Sequence, residues 1–161
     1  MSGKTTIGKI VADKLNFIFC DTDELIAKEK KNSISEIIKK NGKAHFRNCE
    51  KKLIEKHAFI NSHVISIGGG AVNMETKNII KNYQYRVWLK CSIDKLVSRY
   101  KPNKDKRPLL YNIDNIETEL KKTFAERSIF YAECANILID SSGDCLDSLV
   151  DEVLLNINEK N

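Results

Sequence analysis

Residues 2–25 read SGKTTIGKIVADKLNFIFCDTDEL, and two different periods follow one another within them. Residues 3–15 set Ile7, Ile10, Val11 and Leu15 on one face at helical spacing. Residues 16–21, NFIFCD, then form an apolar and aromatic run of strand length that ends in an acid. The rest of the chain repeats this alternation. HVISIGGG at 63–70, YQYRVWLKC at 83–91 and ANILIDSS at 135–142 read as strands. Residues 144–158 carry Leu146, Leu149, Val150, Val153, Leu154 and Ile157 on a second helical face. Strands that alternate with helices make right-handed βαβ units, which lay the strands parallel and cover both faces of the sheet. The expected fold is a three-layer α/β domain.

Two stretches break the rhythm. Residues 33–58 read as helices with no strand between them, turned by a C-cap at Gly42 between SISEIIKKN and KAHFRNCEKKLIEK. They predict an inserted helical subdomain that covers a substrate. Residues 100–115, YKPNKDKRPLLYNIDN, hold both prolines of the chain among Lys, Asn and Asp, the composition of a mobile loop.

Length and composition narrow the function classes. A chain of 161 residues is the size of one domain with a single core. No apolar run approaches the roughly 18 residues of a membrane span, and no basic stretch leads into an apolar one at the start, so a cytoplasmic protein is expected. Five cysteines, an odd number with no C-x-x-C pair, predict reduced thiols and small core residues rather than a disulfide framework or a zinc site. The net charge of +5 is spread along helix surfaces with no aromatic-interleaved basic motif, which argues against a nucleic-acid module. His45, His57 and His63 lack metal-ligand spacing.

The chemistry-bearing residues fall at the ends of the predicted elements. Ser-Gly-Lys-Thr at the start opens a helix whose unpaired N–H groups and positive dipole end suit phosphate oxygens. There Lys4 would reach the β- and γ-phosphates of a nucleotide and the Thr5 hydroxyl would hold Mg²⁺. The complete motif needs a strand and a loop before it, so these letters alone also fit an accidental match. Asp21 and Asp23 close a predicted parallel strand, beside the crevice where such sheets bind ligands. One could meet Mg²⁺ and the other a substrate hydroxyl, with Thr22 free to cap the next helix. Arg47 and Glu50, at i and i+3, fit an ordinary surface ion pair when taken singly. Gly68, Gly69 and Gly70 follow an apolar strand, a costly freedom unless a ligand or another backbone comes very close.

SGKTTIG, DTD, FRNCE, GGG, RPLL and AERSIFYAECANILIDSSG occur in that order, and across essentially all of its length the chain resembles the shikimate kinases. Gly-Lys-Thr is shared by every phosphate-loop protein. The ordered set of D-x-D, F-R-x-x-E, triple Gly and R-x-x-x-Y before the last strand is what separates shikimate kinases from adenylate, gluconate and other small-molecule kinases. The resemblance implies a phosphate-loop kinase fold and transfer of the γ-phosphoryl group of ATP to the 3-hydroxyl of shikimate, with Mg²⁺, in chorismate and aromatic amino acid synthesis. It implies that Gly3, Lys4, Thr5 and Thr6 bind the nucleotide and that Asp21, with Thr5, orients the Mg²⁺ shell. Asp23 matches the aspartate that hydrogen-bonds the reacting hydroxyl and can accept its proton. Arg47 and Arg127 match the pair that clamps the carboxylate, where a planar fork fits and a point charge does not. Glu50 matches the carboxylate that holds Arg47, and Gly69, with Gly68 and Gly70, the backbone that approaches the substrate hydroxyls. Arg107, stiffened by Pro108, matches the arginine that a closing lid at 100–115 swings onto the phosphates.

The start departs from the family pattern. Family members carry a β-strand and a Gly-rich half-loop before S-G-K-T, a stretch of roughly ten residues, and here Met1 stands where the loop's later Gly usually is. The expectation is a sheet without its central first strand and reduced activity, unless the true start lies upstream. The alternatives are therefore a non-catalytic or weakly active relative, or a related kinase with another hydroxy-acid substrate. The expected partners are shikimate and ATP, with no nucleic acid, no membrane and a monomeric state.

Overall fold

Gly3 takes a φ of 88° and leads into helix α1, Lys4–Leu15. A left-handed backbone of this kind favours glycine. Gly8, inside the same helix, is there for space, because a Cβ on it would lie 2.8 Å from the Phe19 ring. Without that side chain α1 lies directly on the first strand, β1, Ile18–Asp21. The structure, a computed structural model, describes residues 1–101, 113–143 and 145–160. After β1 come α2 (Thr22–Lys30), α3 (Ile34–His57), β2 (His63–Ser66), α4 (Lys77–Ile80) and β3 (Val87–Lys90). They are followed by α5 (Ile93–Ser98), α6 (Ile116–Cys134), β4 (Ile137–Asp140) and α7 (Leu146–Glu159).

All four expected strands are present and all pairings are parallel. β1 pairs with β2 from Ile18 opposite His63 to Asp21 opposite Ser66. β3 pairs with β4 from Val87 opposite Ile137 to Lys90 opposite Asp140. Among the described residues these are two separate two-stranded sheets. Each strand is four residues long, shorter than the apolar run that announced it.

The main core joins α1 and α7 to the strands. Ile7 and Val11 pack with Ile137, Ile139, Val150, Val153 and Ile157, and Ile10, Leu15, Leu146, Leu149 and Leu154 border them. Both helical faces expected from the spacing are the faces in use, each fully buried aliphatic side chain contributing about 1.5–3 kcal/mol of transfer free energy. Cover on both faces of the sheet is incomplete. On β4, Ile137 and Ile139 are buried while Leu138, between them, is 57% exposed. Cys20, Cys91 and Cys134 are buried free thiols, Cys49 is half-buried and Cys145 is exposed.

Ile26, Ile37, Phe46 and Leu53 fasten α3 to α2 in a second cluster. The start of α3 is set by a reciprocal capping box between Ser33 and Glu36. Gly42, at φ 84° and ψ 162°, breaks the helix where a turn was expected, so α3 is two helical pieces run together. Most of the expected lid, residues 102–112 with Arg107 and Pro108, lies outside the described residues. Among the described residues no helix is long and apolar enough to cross a membrane.

Candidate active site

Asp21 stands where β1 becomes α2 and serves both neighbours. Its backbone is still extended, as an N-cap requires, and its Oδ1 accepts the N–H groups of Asp23 at 3.0 Å and Glu24 at 3.5 Å. Its Oδ2 accepts the Thr5 hydroxyl at 3.0 Å, which ties the strand end to the first turn of α1. The cap is therefore Asp21 and not Thr22. Thr22 is fully buried, one residue inside the helix, where its hydroxyl accepts the N–H of Gly68 at 3.2 Å. That bond draws the glycine turn after β2 against the start of α2.

The three glycines leave room for side chains from three different helices. A Cβ on Gly68 would lie 3.0 Å from Glu50 Oε1 and 3.3 Å from Asp23 Oδ1. On Gly69 it would lie 2.9 Å from the Tyr131 hydroxyl, and on Gly70 it would enter the Arg47 guanidinium. None of the three has a positive φ. The sequence argument expected a ligand or a backbone to approach here; the structure adds Asp23, Arg47, Glu50 and Tyr131, packed close enough that a methyl group on any of these glycines would displace one of them.

Those side chains form one polar cluster. Arg47 and Glu50 make a tight ion pair, with Glu50 only 1% exposed. This is not the ordinary surface pair that the spacing alone suggested, because the pair lies under the glycine turn. Burial pushes the Glu50 carboxyl up to about 7, against the pull of Arg47. Asp23 is also raised, first by burial and then by the neighbouring Asp21, while Lys4 and Arg47 pull it down. Arg127 and Tyr131 sit at i and i+4 on one face of α6. The Tyr131 hydroxyl donates to the Gly69 carbonyl at 2.8 Å, and its ring is backed by Trp88 of β3 at 5.6 Å, which in turn meets Phe124 at 6.4 Å.

A separate cavity of about 410 Å³ opens at the start of α1, lined by residues 1–7, Arg99, Gly143 and Leu146. Arg99 closes one side of it by donating to the carbonyls of Ser141 at 3.0 Å and Gly143 at 2.7 Å. Sequence reasoning missed Arg99, a single arginine after a short helix with no motif around it. It also assigned nothing to Tyr131, although the R-x-x-x-Y spacing puts that ring on the Arg127 face. Gly3, Lys4, Thr5 and Thr6 are brought to this cavity, Asp21 is bonded to Thr5, and Asp23, Arg47 and Arg127 come to the glycine turn that contains Gly69. Arg107 lies outside the described residues.

Comparison with known proteins agrees over nearly the whole chain. The family model described as shikimate kinase matches residues 1–158. The chain is 38% identical over 162 residues to a shikimate kinase of Sulfurihydrogenibium sp. (strain YO3AOP1), covering 99% of this chain and 93% of the relative. It is 35% identical over 154 residues to one of Persephonella marina (strain DSM 14350 / EX-H1), covering 95% and 91%. Among solved structures it resembles the shikimate kinase from Acinetobacter baumannii in complex with shikimate, with a TM-score of 0.93 and 27% identity over 99% of this chain and 89% of that one. The shikimate kinase from Aquifex aeolicus vf5 matches with a TM-score of 0.83 and 32% identity, over 98% and 90%.

Proposed function

Because the chain belongs to the shikimate kinase family, we propose that the cavity at α1 and the polar cluster at the glycine turn are the two halves of one phosphoryl-transfer site. The activity is transfer of the γ-phosphoryl group of ATP to the 3-hydroxyl of shikimate. The observation that carries the assignment is the position of Asp23: it stands two residues after Asp21, whose Oδ2 accepts the Thr5 hydroxyl at 3.0 Å, and its own Oδ1 faces Gly68 beside the Glu50 carboxyl that pairs with Arg47. A group so placed can serve an acceptor hydroxyl while a nucleotide lies on the Lys4 side and an anionic acceptor on the Arg47 side.

The reaction makes a bond between the 3-oxygen of shikimate and the γ-phosphorus, breaks the bond from that phosphorus to the β–γ bridging oxygen, and releases ADP. The hydroxyl proton goes to Asp23. Burial, and after it the neighbouring Asp21, raises the Asp23 carboxyl above its ordinary value, which makes it a better proton acceptor, while Lys4 and Arg47 oppose the rise. Gly3, Lys4, Thr5 and Thr6 hold the nucleotide through the open N–H groups of α1 and the Lys4 ammonium. Arg47, kept in place by Glu50, and Arg127 clamp the shikimate carboxylate, and the backbone at Gly69 meets its hydroxyls.

The residues present fit Mg²⁺. Thr5 Oγ1 and Asp21 Oδ2 lie 3.0 Å apart, a hydroxyl and a carboxylate oxygen of the kind this ion selects, and nucleotide phosphates and water would fill the remaining positions. Bound there, the ion would neutralise charge on the β- and γ-phosphates. The two helical pieces at 33–58 form the wall of the acceptor site. The same reading makes the enzyme a cytoplasmic monomer with small-molecule partners and no nucleic acid.

The test is ADP release in a coupled assay, with the phosphorylated product identified by mass. ADP release that depends on shikimate and on Mg²⁺ supports the assignment. Release independent of shikimate, or faster with another hydroxy acid, overturns it.

A further inference from the structure

Tyr131 has no part in the mechanism above, yet three observations converge on it. Its hydroxyl donates to the carbonyl of Gly69 at 2.8 Å. The same hydroxyl is the group that a Cβ on Gly69 would strike, at 2.9 Å. Its ring is held from behind by Trp88, itself braced by Phe124, so the hydroxyl has little freedom to move aside. We propose that Tyr131 is a positioning residue for the acceptor site: one hydroxyl fixes the Gly69 backbone and the Arg127 guanidinium at a set spacing from each other. The proposal rests on the assignment of Gly69 and Arg127 to shikimate.

The physical case is that the two groups come from distant parts of the chain. Gly69 lies inside the turn after β2, which the Ala71 N–H closes on the Gly68 carbonyl, and Arg127 belongs to α6. Without a tie, the turn and the helix could shift against each other, and each arginine–carboxylate contact would have to be regained on binding. A tyrosine hydroxyl has one proton to give and can accept as well, so it can bond both partners at once. Here the proton goes to the Gly69 carbonyl, and Arg127 Nη1 stands near the same point, 4.0 Å from where a Gly69 Cβ would lie against 2.9 Å for the Tyr131 hydroxyl. Burial raises the hydroxyl's pKa, with Arg127 and Arg47 pulling the other way, so the group stays a neutral donor at working pH. It also gives Gly69 a second reason to be glycine, set by Tyr131 and independent of any ligand.

Tyr131→Phe keeps the ring against Trp88 and removes only the hydroxyl. The expected result is a rise in the shikimate KM of about tenfold, the size of one lost hydrogen bond in a binding site, with the ATP KM within twofold. A role in stability alone would move both KM values together or neither, and either result overturns the proposal. A double-mutant cycle gives a second reading. Gly69→Ala should raise the shikimate KM sharply, and adding Tyr131→Phe should recover part of the loss because the methyl group no longer meets an oxygen. Additive effects overturn the proposal. Arg127→Ala is the control. If it raises the shikimate KM while Tyr131→Phe does not, the positioning role is wrong and the site assignment stands. If neither does, the assignment itself is wrong.

Discussion

Around β3 and β4 the buried side chains are mostly aliphatic, Ile137 and Ile139 against Val150, Val153 and Ile157 with Ser141 bonded to the Lys90 carbonyl at the strand end, whereas at the ends of β1 and β2 they include Thr22, Glu50 and Ser66. The first region contributes stability by area removed from water, without direction and with tolerance for small adjustments. The second buries oxygen atoms whose desolvation is costly, and it keeps that cost down with specific partners, the Gly68 N–H for Thr22 and Arg47 for Glu50. One half of the molecule is built for cohesion and the other for placement. Mutations should separate the two properties.

The largest effect is expected where placement is served at no gain in stability. Asp23→Asn should lower turnover about 10²–10⁴-fold, the usual contribution of a positioned proton acceptor. ATP binding should stay within a few-fold and the thermal midpoint should not fall, because the substitution removes a half-buried charge. Unchanged turnover, or a collapse of the midpoint, would break the contrast. Ile139→Ala is the converse test in the aliphatic half. It should cost about 2–5 kcal/mol in denaturant unfolding while the folded fraction keeps both KM values.

A smaller effect sharpens the contrast inside the polar half. Arg127→Lys should raise the shikimate KM on the order of tenfold, since a point charge cannot replace a bidentate fork, and should leave the ATP KM alone. An effect confined to the ATP KM would assign this arginine to the other substrate. The smallest concerns pH. Glu50 is pushed up to about 7 from an ordinary value of 4.5, so the folded protein holds its proton more tightly than the unfolded chain. Its contribution to stability is therefore full below about 4.5 and is lost as pH rises through about 7. Glu50→Gln should flatten the fall of the thermal midpoint across that window without abolishing it, because Asp23 is shifted in the same direction. An unchanged slope would show that Arg47 keeps Glu50 ionised throughout.

The aliphatic half was the more legible in sequence. Helical spacing alone selects the faces of α1 and α7, because burial of area requires only that apolar groups share a side. In the polar half the sequence singled out residues of chemical interest but not what they touch. Asp21 and Thr22 are both good caps, and the choice between them was made by the residue at which β1 ends. The Gly68–Gly70 run announced a close approach, but the groups that approach arrive from α2, α3 and α6, a tertiary fact that no local pattern carries. Arg99 left no local trace, because the main-chain carbonyls it donates to lie on a segment far along the chain.

The chain has a single tryptophan, and it is Trp88, packed on the ring whose hydroxyl holds the Gly69 carbonyl. All tryptophan emission from this protein therefore originates one aromatic ring away from the Gly69 carbonyl and the proposed acceptor site. A titration with shikimate followed by intrinsic fluorescence reads that single location, without a label and without deconvolution among several emitters.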